Sequence, residues 1–297
     1  MPGNWPGIGY NSENGRDAGV EIARRALAAE IELAEADANR RYTDHQRLAD
    51  PEYRGDFLAL NGPGALFCFP GSDMNYVSGL GFDDRPDLSR DLDRIGAFYR
   101  GHESSWTLEV SSLAHPDVVE VAALKGYRPG PFAHLWGKHL ARTEPAFPAS
   151  SVHIVDVSAD NAHRWAQTAA AGFGHGTVDS ALEKILLGFA RVPGTLLYVA
   201  LDGSGAVAGS AAMAIGPGHA KLFSGSTLPP FRGRGIQTAL LHHRLDQAQI
   251  RGLDWAIVQT DPHTTSEGNV ARLGFELLYS KLTLKSPPGA PQNQGGF

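Results

Sequence analysis

The sequence predicts two related αβ domains in tandem. Three observations carry that reading. The chain has 297 residues, near two domains at roughly 150 residues each. Its 42% hydrophobic and 20% charged content is enough to build sizeable cores. Strand-like and helix-like segments alternate along the second half, and the first half repeats part of that order at nearly the same spacing.

Taken in order, residues 1–15 are rich in Gly, Asn and Pro and read as a poorly ordered tail. Residues 17–48 have helical periodicity, with Val20, Ala23, Leu27, Ile31, Ala34, Ala38 and Tyr42 recurring at steps of three and four. That stripe is expected to pack on a neighbouring domain. A helix at 92–99 precedes a strand at 106–110, a helix at 116–125, a stop at Gly126-Tyr127 and a strand at 132–140. The run Arg142-Thr143-Glu144-Pro145-Ala146-Phe147-Pro148 has two prolines and no periodicity, and is expected to be the domain boundary. The first domain then spans 16–143 and the second 150–285.

In the second half, a strand at 152–157 leads to a helix opened by Asp160 as N-cap. A further helix covers 181–190. Strands at 195–201, 206–215 and 219–227 are joined by Asp202-Gly203 and Gly216-Pro217-Gly218 turns. A loop at 229–235 opens a helix at 236–250. A strand at 255–260, a helix at 266–273 stopped by Gly274 and a strand at 276–284 complete the order. Residues 286–297 form a second tail of low complexity. The repeat shows in the spacing from tryptophan to stopping glycine, 20 residues from Trp106 to Gly126 and 19 from Trp255 to Gly274.

Composition excludes several functions. With 32 acidic and 26 basic side chains the formal charge is −6, which argues against a dedicated nucleic-acid binder. The longest apolar run, 206–215, is too short for a membrane span. The lone Cys68 cannot make an internal disulfide and reads as a small buried hydrophobe. The twelve histidines are scattered without ligand spacing, so no metal is expected. The start, Met1-Pro2-Gly3-Asn4-Trp5, lacks a basic and apolar leader, and a cytoplasmic location is expected.

The informative segment runs from Phe223 to Leu241. A strand enters a loop of small and basic residues, Arg232-Gly233-Arg234-Gly235, which opens directly into a helix. Helix-start amides have no intrahelical partner, and the dipole places positive charge at the same end, so this is a candidate anion site. Gly233 and Gly235 allow close backbone approach, and Arg232 and Arg234 can add charge-assisted contacts. A Walker-type loop is excluded because no Gly-Lys-Ser/Thr follows, and a dinucleotide fingerprint because a third glycine is missing.

The segment Arg232-Gly233-Arg234-Gly235-Ile236-Gln237, the element order around it and the ending Leu273-Gly274-Phe275 resemble the GNAT superfamily of acyl-CoA-dependent N-acyltransferases. The family pattern is Gln/Arg-x-x-Gly-x-Gly/Ala, so Gln237 departs at its last position. The resemblance covers about 151–284. It implies an α/β (α+β) fold of two such domains, each a mixed, mostly antiparallel sheet flanked by helices. It implies acetyl-CoA as co-substrate, with amides from Gly233 through Ile236 and Gln237 to Thr238 on the pyrophosphate. Ser226, Thr227 and Leu228 would pair with pantetheine and polarise the thioester, and Asn269 would contact the same arm. Gly225 is expected to mark a bulge that parts two strands. The implied activity is acetyl transfer to an amine, on a small molecule or a peptide, by direct attack. The alternatives are a non-catalytic acyl-CoA-binding regulatory protein and an enzyme using a longer acyl donor.

No acid or base is assigned. Val270 stands where the family usually has its tyrosine, and the strand 219–227 contains no carboxylate. Tyr279, His263 and Glu267 are available, as are His242 and His243, each with an ordinary structural role as the plainer reading. In the first domain the corresponding segment, 81–93, carries five aspartates and lacks the glycine pair. That copy is expected to be degenerate and to wall one side of the acceptor site.

Overall fold

Residues 15–83, 87–140, 152–174 and 176–287 are described in the computed structural model. The expected domain boundary and nearly all of both expected tails lie outside the described residues. The first half contains α1 (Gly15–Ala49), β1 (Asp56–Ala59), β2 (Gly64–Phe67), β3 (Tyr76–Ser78), α2 (Leu88–Gly101), β4 (Thr107–Ser111), α3 (Asp117–Leu124) and β5 (Arg128–His139). The second contains β6 (His153–Val157), α4 (Ala162–Phe173), α5 (Ser180–Ala190), β7 (Thr195–Leu201), β8 (Val207–Ile215) and β9 (His219–Thr227). It continues with α6 (Ile236–Ile250), β10 (Trp255–Thr260), α7 (Thr265–Arg272) and β11 (Glu276–Lys285).

Local chemistry sets many of these limits. Between β7 and β8, Asp202 Oδ1 accepts the amides of Ser204 and Ala206 at 2.9 and 3.0 Å, while Gly205 takes φ 83°. Gly274 at φ 77° ends α7 as expected. Asp160 is not the cap of α4. It lies in a short 3-10 turn (Ala159–Asn161), so Asn161 takes the N-cap position, without a side-chain cap bond.

The eleven strands form one sheet in the order β1-β2-β3-β4-β11-β5-β10-β9-β8-β7-β6. Among the described residues only β3–β4 and β9–β10 pair in parallel, so the sheet is mixed and mostly antiparallel. The last strand of each half has crossed into the other. β11 pairs with β4 and β5, and β5 pairs with β11 and β10. A pseudo-twofold between β5 and β11 therefore relates β4 to β10 and β3 to β9.

Helices α2, α3, α6 and α7 cover one face of the sheet, and α1, α4 and α5 the other. The α1 stripe is not the simple apolar one expected from the sequence. Ile31 and Tyr42 are buried, but so are Glu32, Glu35, Asn39, Thr43 and Gln46. These carboxylates tolerate burial because cations on the sheet meet them. Lys281 Nζ lies 2.8 Å from Glu32, 3.2 Å from Glu35 and 3.1 Å from Glu109, and Lys221 Nζ lies 2.7 Å from Glu35. Burial pushes the Glu32 carboxyl up. For Glu35 burial acts in the same direction, but Lys221 and Lys281 overcome it and hold the group well below its ordinary value.

Candidate active site

The site begins where β9 and β10 part. Their parallel pairing runs only from His219 opposite Trp255 to Leu222 opposite Val258. Beyond that point β9 carries a one-residue bulge at Ser224-Gly225, opposite Ala211, and Ser224 takes φ 49°. The expected bulge at Gly225 is therefore present. Among the described residues the β10-facing edge of residues 223–227 has no strand partner. Leu228 N donates to Ala208 O across β8, so by strand alternation the Thr227 amide points to that open edge.

Arg244 of α6 secures the bulge. Its side chain is buried, and its guanidinium donates to Phe223 O at 3.3 Å, Ala212 O at 3.1 Å and Leu240 O at 3.0 Å. Among the described residues no carboxylate forms an ion pair with it. Burial lowers its pKa to about 10, so it stays charged beneath the open strand. A Cβ at Gly225 would lie 2.7 Å from Gln237 Nε2 and 3.4 Å from Arg244 Nη2, which explains glycine there.

After β9, Pro229–Phe231 make a short 3-10 turn, and Gly233 and Gly235 take φ 75° and 76°. Gly235 is the N-cap of α6, and no side chain caps that helix. Among the described residues the amides from Gly233 to Thr238 donate to no protein acceptor, backbone or side chain. A Cβ added at Gly233 or Gly235 meets nothing within 4 Å, so the backbone at these two residues borders open space.

That space is a cleft of about 840 Å³. Of the residues singled out in the sequence, Ser226, Thr227, Arg232, Gly233, Gly235, Ile236, Gln237, Thr238 and Asn269 line it. Leu228 and Arg234 do not. Leu228 pairs with β8, and the Arg234 guanidinium lies over the Phe231 ring at 5.4 Å. Arg232 has a second task, because it donates to Gly172 O at 3.0 Å and Thr227 O at 3.3 Å and so ties the end of α4 to β9. Asn269 accepts from Arg272.

Sequence reasoning missed Gly172, Phe173, Phe231, Thr264, Thr265, Ser266 and Arg272, which also line the cleft. One signal was available. Thr264-Thr265-Ser266-Glu267 is a capping pattern, in which Thr264 Oγ1 accepts the Glu267 amide at 3.3 Å. The Glu267 carboxylate accepts the His263 amide at 2.7 Å and faces His134 Nδ1 at 2.6 Å, which together hold its pKa down. His134 belongs to the exchanged strand β5, so the first half braces one wall of the cleft.

None of the titratable groups considered for catalysis lines the cleft. Tyr279 is buried and donates to Glu32 at 2.7 Å; burial raises its hydroxyl far above the ordinary value. His243 packs edgewise on Tyr198, and burial lowers both His242 and His243. Val270 is core. No group of three or more metal-type side chains gathers among the described residues, and no described helix is long and apolar enough to cross a membrane.

At the first-half counterpart turn the surroundings of Gly81 are filled by the protein itself. Arg25 donates to Gly81 O and Leu113 O at 3.3 Å each, and His115 N donates to Gly81 O at 2.7 Å. A Cβ at Gly81 would lie 2.5 Å from Val118, unlike the open glycines of the second half. Part of the aspartate-rich segment, residues 84–86, lies outside the described residues.

Residues 160–275 match the Acetyltransferase (GNAT) family. A comparison with curated proteins finds no significant match. Among solved structures, a GCN5-related N-acetyltransferase from Kribbella flavida superposes with TM-score 0.56 at 18% identity, over 85% of this chain and 96% of that one. A tandem GNAT protein from the clavulanic acid biosynthesis pathway gives TM-score 0.58 at 15% identity, over 86% and 96%. A GCN5-related N-acetyltransferase from Sphaerobacter thermophilus gives 0.54 at 16%, over 90% and 93%. Residues 160–275 are thus similar to the GNAT acetyltransferase family, and the chain as a whole has the fold of tandem GNAT structures.

Proposed function

We propose that this chain binds acetyl-CoA in the cleft at the start of α6 and transfers the acetyl group to an amine by direct attack in a ternary complex. The observation that carries the reading is the row of unpartnered amides from Gly233 to Thr238, on a turn that lines the cleft beside the open edge of β9. Helix-start amides suit a diphosphate. The open edge of 223–227 accepts the extended pantetheine arm as an added strand.

The bound thioester supplies the acetyl group and a thiolate leaving group. This chain's part is to hold and polarise. The Thr227 amide donates to the thioester carbonyl, and the buried Arg244 cation beneath the bulge favours negative charge developing nearby. The amine nitrogen bonds to the carbonyl carbon, the carbon–sulfur bond breaks, and the proton lost by nitrogen passes to water. The departing thiolate takes a proton from water. Positioning then does most of the work.

A second reading, an acyl-CoA-binding regulatory protein without turnover, is favoured by Val270 and by the carboxylate-free β9. Thiol release from acetyl-CoA in the presence of a panel of small and peptide amines separates the two. Release with at least one amine supports the enzyme; calorimetric binding without release across the panel supports the regulator. Comparing longer acyl donors in the same assay tests the chain-length alternative.

A further inference from the structure

Two side chains of β5, a strand from the first half, hold the segment that forms the α7 wall of the cleft. His134 stands opposite Thr260 at the end of β10. Its Nδ1 lies 2.6 Å from Glu267 Oε1, with the two side chains 24% and 19% exposed. Trp136, two residues on, donates from Nε1 to Thr260 Oγ1 at 3.1 Å. The Glu267 carboxylate uses its second oxygen to accept the His263 amide at 2.7 Å. That contact matters because His263 takes φ 61°, a left-handed conformation that a non-glycine residue adopts at a cost. The residues that follow it, Thr264, Thr265 and Ser266, line the cleft.

The spacing along α7 separates the wall from what supports it. Thr265, Asn269 and Arg272 recur at steps of four and three and line the cleft. Glu267 and His134 do not line it. The pair therefore holds α7 from behind rather than from within the site.

We propose that His134 is a positioning residue for the coenzyme, setting the place of Thr264–Ser266 and Asn269 through Glu267. The first half then contributes to coenzyme affinity in the second. The proposal rests on the acyl-CoA reading above. A wall that is formed only part of the time lowers apparent affinity by that fraction. A partly exposed ion pair adds little to global stability, so binding rather than folding should register its loss.

The test is calorimetric titration of the full chain with coenzyme A, alongside thermal melts. His134→Leu removes the donor, whereas His134→Asn keeps an N–H donor close to the place of Nδ1. The leucine variant should bind coenzyme A about tenfold more weakly, as for one lost charge-assisted hydrogen bond, and melt close to the wild type. The asparagine variant should recover most of the affinity. Glu267→Gln keeps the size of the side chain but replaces one of its two acceptor oxygens. It should bind about as weakly as the leucine variant, and it carries the test if that variant fails to fold. Wild-type affinity in His134→Leu or in Glu267→Gln would overturn the proposal. So would equal losses in His134→Asn and His134→Leu, which would point to ring packing instead of the hydrogen bond. Wild-type protein that does not bind coenzyme A would remove the acyl-CoA reading itself, and this proposal with it.

Discussion

Lys281 and Glu32 meet at 2.8 Å with both side chains 1% exposed, joining the last strand of the chain to its first helix. Glu35 and Glu109 close on the same ammonium. Lys281→Met should leave three carboxylates around an apolar side chain, and removing one partner from a buried charge cluster costs about 3–5 kcal/mol. Urea unfolding of the variant should show a loss of that order. A loss under about 1 kcal/mol would mean that the cluster is hydrated rather than buried.

The same cluster sets an acid limb. Glu35 is held below its ordinary value near 4.5, so its contribution is fully present above that value and is lost as pH falls below it. Unfolding free energy should decline below about pH 4.5 in the wild type. Glu35→Gln should be less stable at neutral pH, with a flatter decline on acidification. Parallel curves would assign the acid sensitivity to other carboxylates.

The strand exchange makes the halves interdependent. Without β5, the strands β10 and β11 lose the neighbour they share. A fragment covering 150–285 should therefore fail to unfold cooperatively, and should associate through those edges. A monomeric fragment with a sharp thermal transition would show that the exchange is dispensable.

Gly235 has φ 76° and open space at its Cα. Asp tolerates that conformation at a cost of about 1–2 kcal/mol, so the fold should survive Gly235→Asp. The new carboxylate would cap the free amides and repel a diphosphate. Acetyl-CoA affinity should fall about 100-fold or more, since charged hydrogen bonds contribute about 1.5–3 kcal/mol each. Calorimetry with a parallel thermal melt checks both halves of the statement.

Much of the second half was legible residue by residue. β7, β9, β10 and α6 have the limits read from the sequence, because Asp-Gly and Gly-Pro-Gly turns and the Gly235 helix start are local signals. Most of the cleft lining between Ser226 and Thr238 was legible for the same reason, although Leu228 and Arg234 turn away from the cleft and Phe231 was missed. The exchange of β5 and β11 was not, since nothing local tells a strand which half will be its neighbour. The polar face of α1 was hidden too. Glu32 and Glu35 can be buried only because Lys281, about 250 residues away, supplies their counter-charge. The short β1 and β3 carry too few residues for a periodicity, and the α7 wall reaches the cleft only through tertiary packing. Asp160 misled because a 3-10 turn precedes α4.

The central claim is settled most directly by a crystal structure of the chain grown with coenzyme A. The account predicts the diphosphate within hydrogen-bonding distance of the amides between Gly233 and Thr238, with the pantetheine arm along Phe223–Thr227. A diphosphate bound elsewhere, at the first-half turn near Gly81 for instance, would contradict it.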